Sequence, residues 1–312
     1  SNRPVGVYFS PDGSKLFIPE LDSLHNTSSL WMSADDGATW RKIFSKQVTI
    51  ENVSISANGS KIVLEYENSF SISTDGGQSW VERGPYPVRG SVLVAPDGSF
   101  LVGCSGSGAT GYTTNISTDN GQTWTQKGTN SIGCPQYVFN NGTLILQNGS
   151  GIMRSTDYGQ TWTETPNVLN ADFLASFSNN GNNVFDGNRI SLDGGNSWTP
   201  SNAPAPTNGT DYSTKISDDG KKLFISGNNH STGMLEFYTS VDGGRTWYTQ
   251  ATPEFTPVVS SDVSKIFGAP VGMGIDFYFM GTLSTSQPVT PGSGAGAGGT
   301  VAPSTGSTSA TS

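Results

Sequence analysis

The sequence has very few of the residues that metal sites, nucleic-acid interfaces and membrane spans require. It contains 2 His and 2 Cys in 312 residues, and neither His has a second ligand at a metal-binding spacing, so we expect no metal and no other cofactor. With 16 Lys and Arg against 25 Asp and Glu, the net charge of −9 disfavours a nucleic-acid partner. No apolar run approaches the roughly 18 residues of a transmembrane helix, so we expect no membrane span.

Amphipathic helical segments of useful length are also lacking. Lys and Glu are scarce, whereas Ser, Thr and Asn are abundant and Gly accounts for 40 of the 312 residues. This composition is typical of many short strands joined by turns, because Gly and Asn favour turns and β-branched residues favour strands. We therefore predict an all-β protein.

One eight-residue pattern, Ser-x-Asp-x-Gly-x-(Ser/Thr)-Trp, occurs six times without exception. We predict that its Asp accepts hydrogen bonds from backbone N–H groups one and two residues on, and that its Gly adopts φ > 0. Its Trp should begin the next strand and bury its ring. Strand, turn and strand form a hairpin, so these residues are predicted to be structural. The Asp and Trp residues concerned are Asp35, Trp40, Asp75, Trp80, Asp119, Trp124, Asp157, Trp162, Asp193, Trp198, Asp242 and Trp247.

A shorter polar turn precedes each copy of the pattern and is followed by an apolar strand. Seven such turns and six patterns predict seven units of about 40 residues, with the pattern missing from the last. The third strand of the last unit is predicted at Ile275 to Met280, and the fourth is either Thr282 to Val289 or missing. The turns are Ser10 to Gly13, Ser56 to Gly59, Ala95 to Gly98, Asn140 to Gly142, Asn179 to Gly181, Asp218 to Gly220 and, degenerate, Ser261 to Ser264.

The eight-residue pattern resembles the Asp-box, or BNR repeat, of sialidases, xyloglucan-cleaving glycoside hydrolases, sortilin-type receptors and photosystem II assembly factors. The resemblance extends from about Val5 to Leu283. It implies a single β-propeller in which each box joins the third and fourth strands of a blade, on the side away from the active face. We expect seven blades, six with boxes and one degenerate; a six-bladed ring is the alternative.

The composition changes near Ser284, where Gly, Ala, Ser, Thr and Pro replace almost all larger apolar residues. We therefore expect residues 1–283 to form the propeller and 284–312 to form a disordered linker or stalk.

Cys104 and Cys134 should lie at the same face of neighbouring blades. The sequence is compatible both with a disulfide between them and with two separate thiols. Glycosylation is expected if the protein is secreted, at some of Asn26, Asn52, Asn58, Asn115, Asn141, Asn148, Asn208 and Asn229.

If the boxes and the first turns share one face, a ligand would meet the loops of the other face. The long loops are predicted at Glu20 to Ser29, Cys104 to Thr114, Pro200 to Asp211 and Gly227 to Gly233. No residue is assigned a catalytic role. The ligand-face candidates are Glu65, Glu67, Arg83, Arg89, Tyr112, Asp172, Asp211, Tyr212 and Glu254.

The resemblance to sialidases does not extend to their chemistry. A sialidase needs three arginines for the substrate carboxylate, and only Arg3, Arg83 and Arg89 are placed to serve. The family's Arg-Ile-Pro motif is absent, since the nearest run, Phe17-Ile18-Pro19, contains no arginine. The photosystem assembly factors match in size, but the arginine-rich patch that the resemblance implies is missing.

We therefore predict a non-catalytic interaction module, secreted or at the cell surface, that binds a protein or a glycan. We expect a monomer or one part of a larger chain or assembly. The alternative is a glycoside hydrolase, which would need two carboxylates facing each other across a central cleft, about 5–10 Å apart.

Overall fold

The structure is a computed structural model that describes residues 2–4, 6–67, 69–84, 91–107, 109–130, 133–148, 151–165, 175–204, 213–229, 234–251, 255–270, 278–282 and 288–289. Every regular element in these ranges is a β-strand, which confirms the all-β prediction. No helix among the described residues is long and apolar enough to cross a membrane.

Within the described residues the strands form seven antiparallel sheets, which we number in chain order. Sheet 1 contains β1 (Asn2–Pro4), β2 (Tyr8–Phe9), β3 (Leu16–Asp22), β4 (Thr27–Ser33) and β5 (Arg41–Lys46). Sheet 2 contains β6 (Asn52–Ile55), β7 (Ile62–Tyr66), β8 (Ser69–Ser73) and β9 (Val81–Arg83). Sheet 3 contains β10 (Leu93–Val94), β11 (Leu101–Ser107), β12 (Gly111–Ser117) and β13 (Thr125–Asn130). Sheet 4 contains β14 (Tyr137–Val138), β15 (Leu144–Asn148), β16 (Gly151–Ser155) and β17 (Thr163–Thr165).

The remaining three sheets differ in their number of strands. Sheet 5 contains β18 (Ser176–Phe177), β19 (Val184–Phe185), β20 (Arg189–Ser191) and β21 (Thr199–Pro200). Sheet 6 contains β22 (Ser213–Ile216), β23 (Leu223–Asn229), β24 (Met234–Ser240), β25 (Trp247–Ala251) and, from the C-terminal region, β29 (Pro288–Val289). Sheet 7 contains β26 (Phe255–Val259), β27 (Lys265–Pro270) and β28 (Tyr278–Thr282).

The first strands of neighbouring sheets contact one another around a common axis. β10 contacts β6 on one side and β14 on the other, β18 contacts β22, and β2 contacts β26 of the last sheet. The sheets therefore stand side by side around a centre, and the molecule is a β-propeller.

The boxes supply much of the apolar packing between the sheets. Trp80 packs from sheet 2 onto Phe44 of sheet 1, with ring centroids 5.0 Å apart. Trp40 packs in the same direction, from sheet 1 onto Phe267 of sheet 7 at 6.4 Å. Each large ring thus fills the gap to the preceding sheet, where burial of apolar area stabilises the ring of sheets. Trp124, Trp162, Trp198 and Trp247 likewise pack onto the sheet before their own.

The C-terminal region corrects two sequence predictions. The third strand of sheet 7, predicted at Ile275 to Met280, is described at Tyr278–Thr282 and so ends two residues later, whereas residues 275–277 lie outside the described residues. Pro288–Val289, which was assigned either to a fourth strand of sheet 7 or to a disordered tail, pairs with Trp247 and Tyr248 at the edge of sheet 6. An edge strand has unpaired backbone groups that attract a further strand, and Pro is tolerated there. The other residues of 284–312 lie outside the described residues.

Candidate functional site

Each box is a turn held together by one buried serine hydroxyl. In sheet 2, Ser73 Oγ donates to Asp75 Oδ1 at 2.8 Å and accepts the backbone N–H of Gly77 at 2.8 Å. Asp75 also accepts the backbone N–H of Ser79 at 2.9 Å and its hydroxyl at 2.5 Å. The Asp accepts backbone hydrogen bonds, but its donors lie three and four residues on instead of one and two, because the N–H of Gly76 donates to Ser60 O and that of Gly77 to Ser73 Oγ.

The same hydrogen bonds recur in the other boxes and determine the ionisation of their carboxyl groups. The hydroxyl of Thr39 and then its backbone N–H lower the pKa of Asp35 to about 2. The corresponding groups of Thr123 lower the pKa of Asp119 to about 2, and those of Ser197 do the same for Asp193. These carboxylates therefore hold their negative charge while they accept hydrogen bonds within their own turns, which agrees with a structural role.

The glycine of each box combines a positive φ with close contact to the preceding sheet. Gly77 has φ 84°, and a Cβ there would approach Ile43 to 2.7 Å. Gly121 has φ 79°, and a Cβ there would approach Phe70 to 2.4 Å. A side chain at this position would be strained by the backbone and would also clash, so glycine is required for both reasons.

The boxes and the first turns share one face, as the sequence reading assumed; we call it the box face. In sheet 2 the N–H of Gly76 in the box donates to Ser60 O beside the first turn, at 2.8 Å. In sheet 6 the N–H of Gly243 donates to Lys221 O, also at 2.8 Å.

First turns of neighbouring sheets are bonded to one another on the box face. The N–H of Asp12 donates to Ala57 O at 3.0 Å, and that of Ala57 donates to Pro96 O at 2.6 Å. Asn179 Nδ2 of sheet 5 reaches Pro11 O of sheet 1 at 3.4 Å, so two distant sheets also meet here. The polar groups of this face are therefore largely used inside the protein.

The opposite surface, which we call the loop face, carries long hairpins in sheets 1, 3 and 6. Their second and third strands have 7 residues each, compared with 5 in sheets 2 and 4. At about 3.3 Å per residue, this extends the hairpins by roughly 7 Å. The segments 20–29 and 104–114, predicted as long loops, are thus mainly strand where they are described, because β-pairing satisfies their backbone groups. Of the predicted loop 227–233, the described residues 227–229 belong to β23, and 230–233 lie outside the described residues. Most of 200–211 lies outside the described residues.

The hairpin tip of sheet 1 is held in one shape and presents an apolar side chain. His25 Nδ1 lies 2.5 Å from Asp22 Oδ2, and Asp22 Oδ1 accepts the N–H of Leu24 at 3.0 Å. The hydrogen bond from His25 lowers the pKa of Asp22. Leu24 stands between them with 79% of its surface exposed. Leu24 was not among the predicted ligand-face residues, although it is an apolar residue between turn-forming polar residues in the sequence.

The predicted ligand-face residues divide into three groups. Glu67, at the β7–β8 turn with φ 50°, and Tyr112, on β12, remain at the loop face with exposed or half-buried side chains. Glu65 and Arg83 are used internally, as described below. Five further candidates lie outside the described residues: Arg89, Asp172, Asp211, Tyr212 and Glu254.

Arg83 is a correction to the sequence prediction. Its Nε donates to Asn120 O in the box of sheet 3 at 3.2 Å. It therefore joins two sheets through a box and does not face a ligand. The position of Arg83 explains this contact. It lies in the short strand directly after a box, and that strand begins at the box face.

Glu65 is buried between sheets 2 and 3, with 6% of its surface exposed. Its Oε1 accepts the backbone N–H of Val92, which precedes β10. Burial raises the pKa of Glu65 to about 7, and this effect outweighs the hydrogen bonds from Val92 and Asn52, which lower it. The carboxyl is thus engaged with the protein rather than presented to a ligand.

A disulfide joins Cys104 to Cys134 with a Cα–Cα distance of 5.5 Å, which decides the alternative left open by the sequence. Cys104 is on β11 of sheet 3 and Cys134 precedes β14 of sheet 4, so the bond connects neighbouring sheets.

The possible glycosylation positions differ in accessibility. Asn115 lies within β12 and is buried, so it could not carry a glycan in the folded protein, and Asn52 is half-buried. Asn26, Asn58 and Asn141 are exposed. The side chains of Asn148, Asn208 and Asn229 lie outside the described part of the chain. Among the described residues, no three His, Cys, Asp or Glu side chains come together as a metal site.

Comparisons with known proteins agree with this architecture. The family model for the BNR/Asp-box repeat matches residues 116–126, which include the third box. No curated protein sequence matches the chain.

Several solved structures share the fold at low sequence identity. YCF48 from Cyanidioschyzon merolae has a TM-score of 0.55 and 15% identity, over 86% of this chain and 95% of its own. The β-propeller domain of the Trilobed protease from Pyrococcus furiosus has a TM-score of 0.55 and 11% identity, over 79% of this chain and 83% of its own. The GH74 xyloglucanase from Xanthomonas campestris has a TM-score of 0.55 and 13% identity, over 86% of this chain and 52% of its own. At such identities the likeness concerns the fold alone.

Proposed function

We propose that this Asp-box β-propeller is a non-catalytic interaction module, secreted or at the cell surface, that binds a protein or a glycan through its loop face. The observation that carries the proposal is the contrast between the two faces. The box face uses its hydrogen-bonding groups internally, whereas the loop face projects the long hairpins of sheets 1, 3 and 6. Projecting loops on a rigid scaffold are a common arrangement for binding.

The described carboxylates favour binding over hydrolysis. A glycoside hydrolase of the usual kind needs two carboxyl groups on opposite sides of the substrate. Glu65 is buried against Val92, and Glu67 is on the same hairpin as Glu65, so these two do not face each other across a cleft. Arg83, one of the three arginines considered for a sialidase-type site, is bound to Asn120 O and is not on the loop face, which also argues against such a site. The glycoside hydrolase remains the alternative that the experiment below distinguishes.

We further propose seven blades, with the ring closed by side-chain contacts between sheets 1 and 7 instead of a shared sheet. Lys265 Nζ of sheet 7 reaches Gly13 O at 3.2 Å and Asp36 Oδ1 at 2.6 Å in sheet 1. Trp40 packs onto Phe267 across the same junction. The Pyrococcus propeller is described as having an open velcro topology, and this chain would share that feature.

The disulfide supports the proposed location, because disulfides persist in oxidising compartments. On this proposal Asn26, Asn58 and Asn141 are the sequons whose exposure suits a glycan, and residues 290–312 form a linker or stalk. The chain would act as a monomer or as one part of a larger chain or assembly, without nucleic acid.

The test uses two exposed leucines on opposite faces as a matched pair. Leu24 lies at the tip of the sheet 1 hairpin on the loop face, and Leu192 lies in a box with 61% of its surface exposed. The wild-type chain is applied to an array of immobilised glycans and extracellular proteins, and then to a panel of fluorogenic glycosides. Leu24→Ala should weaken any binding by roughly tenfold, as for a contact of about 1.4 kcal/mol, and Leu192→Ala should leave it unchanged.

The opposite dependence, with binding lost in Leu192→Ala and retained in Leu24→Ala, would place the ligand on the box face and contradict the proposal. Turnover of a fluorogenic glycoside by the wild-type protein would favour the hydrolase instead. Both variants should unfold at the wild-type temperature, since neither side chain belongs to the core.

A further inference from the structure

Three consecutive sheets use the same strand position to hold the start of the next sheet. The position is defined by the backbone bond that closes the first turn: Ser56 N to Lys61 O in sheet 2, Ala95 N to Phe100 O in sheet 3 and Phe139 N to Thr143 O in sheet 4. Four positions after the residue whose carbonyl accepts this bond stand Glu65, Cys104 and Gln147, respectively.

These three residues make three chemically different connections. Glu65 Oε1 accepts the N–H of Val92 in front of sheet 3. Cys104 forms the disulfide to Cys134 in front of sheet 4. Gln147 contacts Ala175 in front of sheet 5.

The contact of Gln147 with Ala175 has two parts. Its Oε1 accepts the N–H of Ala175 at 3.2 Å, and its Nε2 donates to Ala175 O at 2.6 Å. The neutral amide thus satisfies both backbone groups of a residue that is 1% exposed. The hydroxyl of Tyr137 also donates to Ala175 O, at 3.2 Å. A side chain that reproduces the contact of Gln147 itself needs one acceptor and one donor.

Val92 occupies the place in sheet 3 that Ala175 occupies in sheet 5. Each lies three residues before the residue whose N–H closes the first turn, Ala95 and Ser178, and both are buried. A protonated carboxyl has an acceptor and a donor, as a glutamine has, whereas a carboxylate has acceptors alone. Only the protonated form of Glu65 can therefore reproduce the contact that Gln147 makes.

We propose that Glu65 is a proton-controlled latch between sheets 2 and 3, which is matched to the backbone of Val92 when protonated and loosens the start of β10 when it ionises. Ionisation would leave a buried charge beside the backbone, without the donor that the equivalent glutamine supplies. The latch would respond to pH at a junction next to the loop face. This proposal does not depend on the ligand proposed above.

The surroundings of Glu65 favour the neutral form. Glu51, which precedes β6, is the charged group that acts on it, and its negative charge opposes ionisation. The hydrogen bond from Asn52 on β6 acts the other way and lowers the pKa, but burial outweighs it. Tyr66 follows on β7 itself, and Phe70 is the register partner on β8. On the described part of sheet 3 that meets it, the contact is the uncharged Val92.

The experiment compares wild-type protein with Glu65→Gln and with the reciprocal variant Gln147→Glu, by calorimetric unfolding of the full chain between pH 5 and 8.5. Glu65→Gln keeps the hydrogen bonds and cannot ionise. The melting temperature of the wild type should fall relative to that of Glu65→Gln as the pH rises, by roughly 5 °C or more between pH 5 and 8. Gln147→Glu should acquire a similar decline at the junction of sheets 4 and 5.

Parallel curves for the wild type and Glu65→Gln would overturn the proposal. A second readout needs no variant, so it applies even if a variant does not fold. Hydrogen exchange of the Val92 amide, corrected for the intrinsic exchange rate, should lose protection as the pH rises through 7, whereas that of Ala175 should not. Constant protection of Val92 would also contradict the latch.

Discussion

At the scale of single residues, the buried serine that opens each box is as important as the aspartate that gives the box its name. Ser73 is 1% exposed and connects Asp75 to the N–H of Gly77. The aspartate is exposed to solvent, whereas the N–H of Gly77 has no access to water in place of the hydroxyl. Removal of a hydrogen-bond partner costs most where the remaining group is buried.

We therefore expect Ser73→Ala to lower the free energy of unfolding by about 1–3 kcal/mol, because the Gly77 N–H loses its acceptor. Thr74, the next residue, is exposed and serves as the control; Thr74→Ala should change stability by less than about 0.5 kcal/mol. Urea unfolding of both variants measures the difference. Equal effects of the two substitutions would show that the hydroxyl of Ser73 has no special role.

At the scale of elements, neighbouring sheets are joined by a small set of connections at fixed positions. The box tryptophan reaches the preceding sheet, and in sheets 2, 3 and 4 the fourth residue of the second strand reaches the following sheet. In sheets 3 and 4 the second connection is covalent, between cysteines 30 residues apart. A bond across such a loop restricts the unfolded chain more than a hydrogen bond does.

Replacement of Cys104 and Cys134 by serine in one variant should therefore reduce the free energy of unfolding by about 2–4 kcal/mol. Reduction of the wild-type protein with a thiol should produce a loss of similar size, while the double variant should be insensitive to the thiol. These outcomes are measured by denaturant unfolding with and without reductant. A double variant as stable as the oxidised wild type would contradict the prediction, because it would show that the disulfide does not stabilise the folded protein.

At the scale of the whole molecule, the titrating groups described above predict how stability depends on pH. The box aspartates have a folded pKa below the ordinary 3.8, so their contribution is present above that pH and is lost as the pH falls towards about 2. Glu65 behaves oppositely, since its folded pKa of about 7 exceeds the ordinary 4.5. Its contribution is full below 4.5 and is lost as the pH rises to about 7.

The melting temperature should consequently be highest between about pH 4 and 5 and should decline on both sides. Asp75→Asn should flatten the acid side, and Glu65→Gln should flatten the neutral side. Calorimetry from pH 2 to 8.5 checks both. A wild-type profile that rises continuously from pH 4 to 8 would contradict the assignment for Glu65.

The sequence alone was sufficient for the repeated elements, because the box is a local structure. Its hydrogen bonds link residues at most four positions apart, so the eight-residue pattern forms the same turn in each of the six sheets that contain it. The turns and the all-β class followed from that local chemistry, whereas the common face of boxes and first turns was only assumed and was determined by the structure.

Only the tertiary structure determined which residues make contacts between sheets. Arg83 and Glu65 appear in the sequence as exposed loop-face candidates, yet both bind backbone groups of the next sheet, 37 and 27 residues away. The pairing of Pro288–Val289 with β25, and the formation of the disulfide, likewise depend on distances between separate sheets. Burial and partner geometry arise when the sheets assemble, and no local pattern of residues contains them.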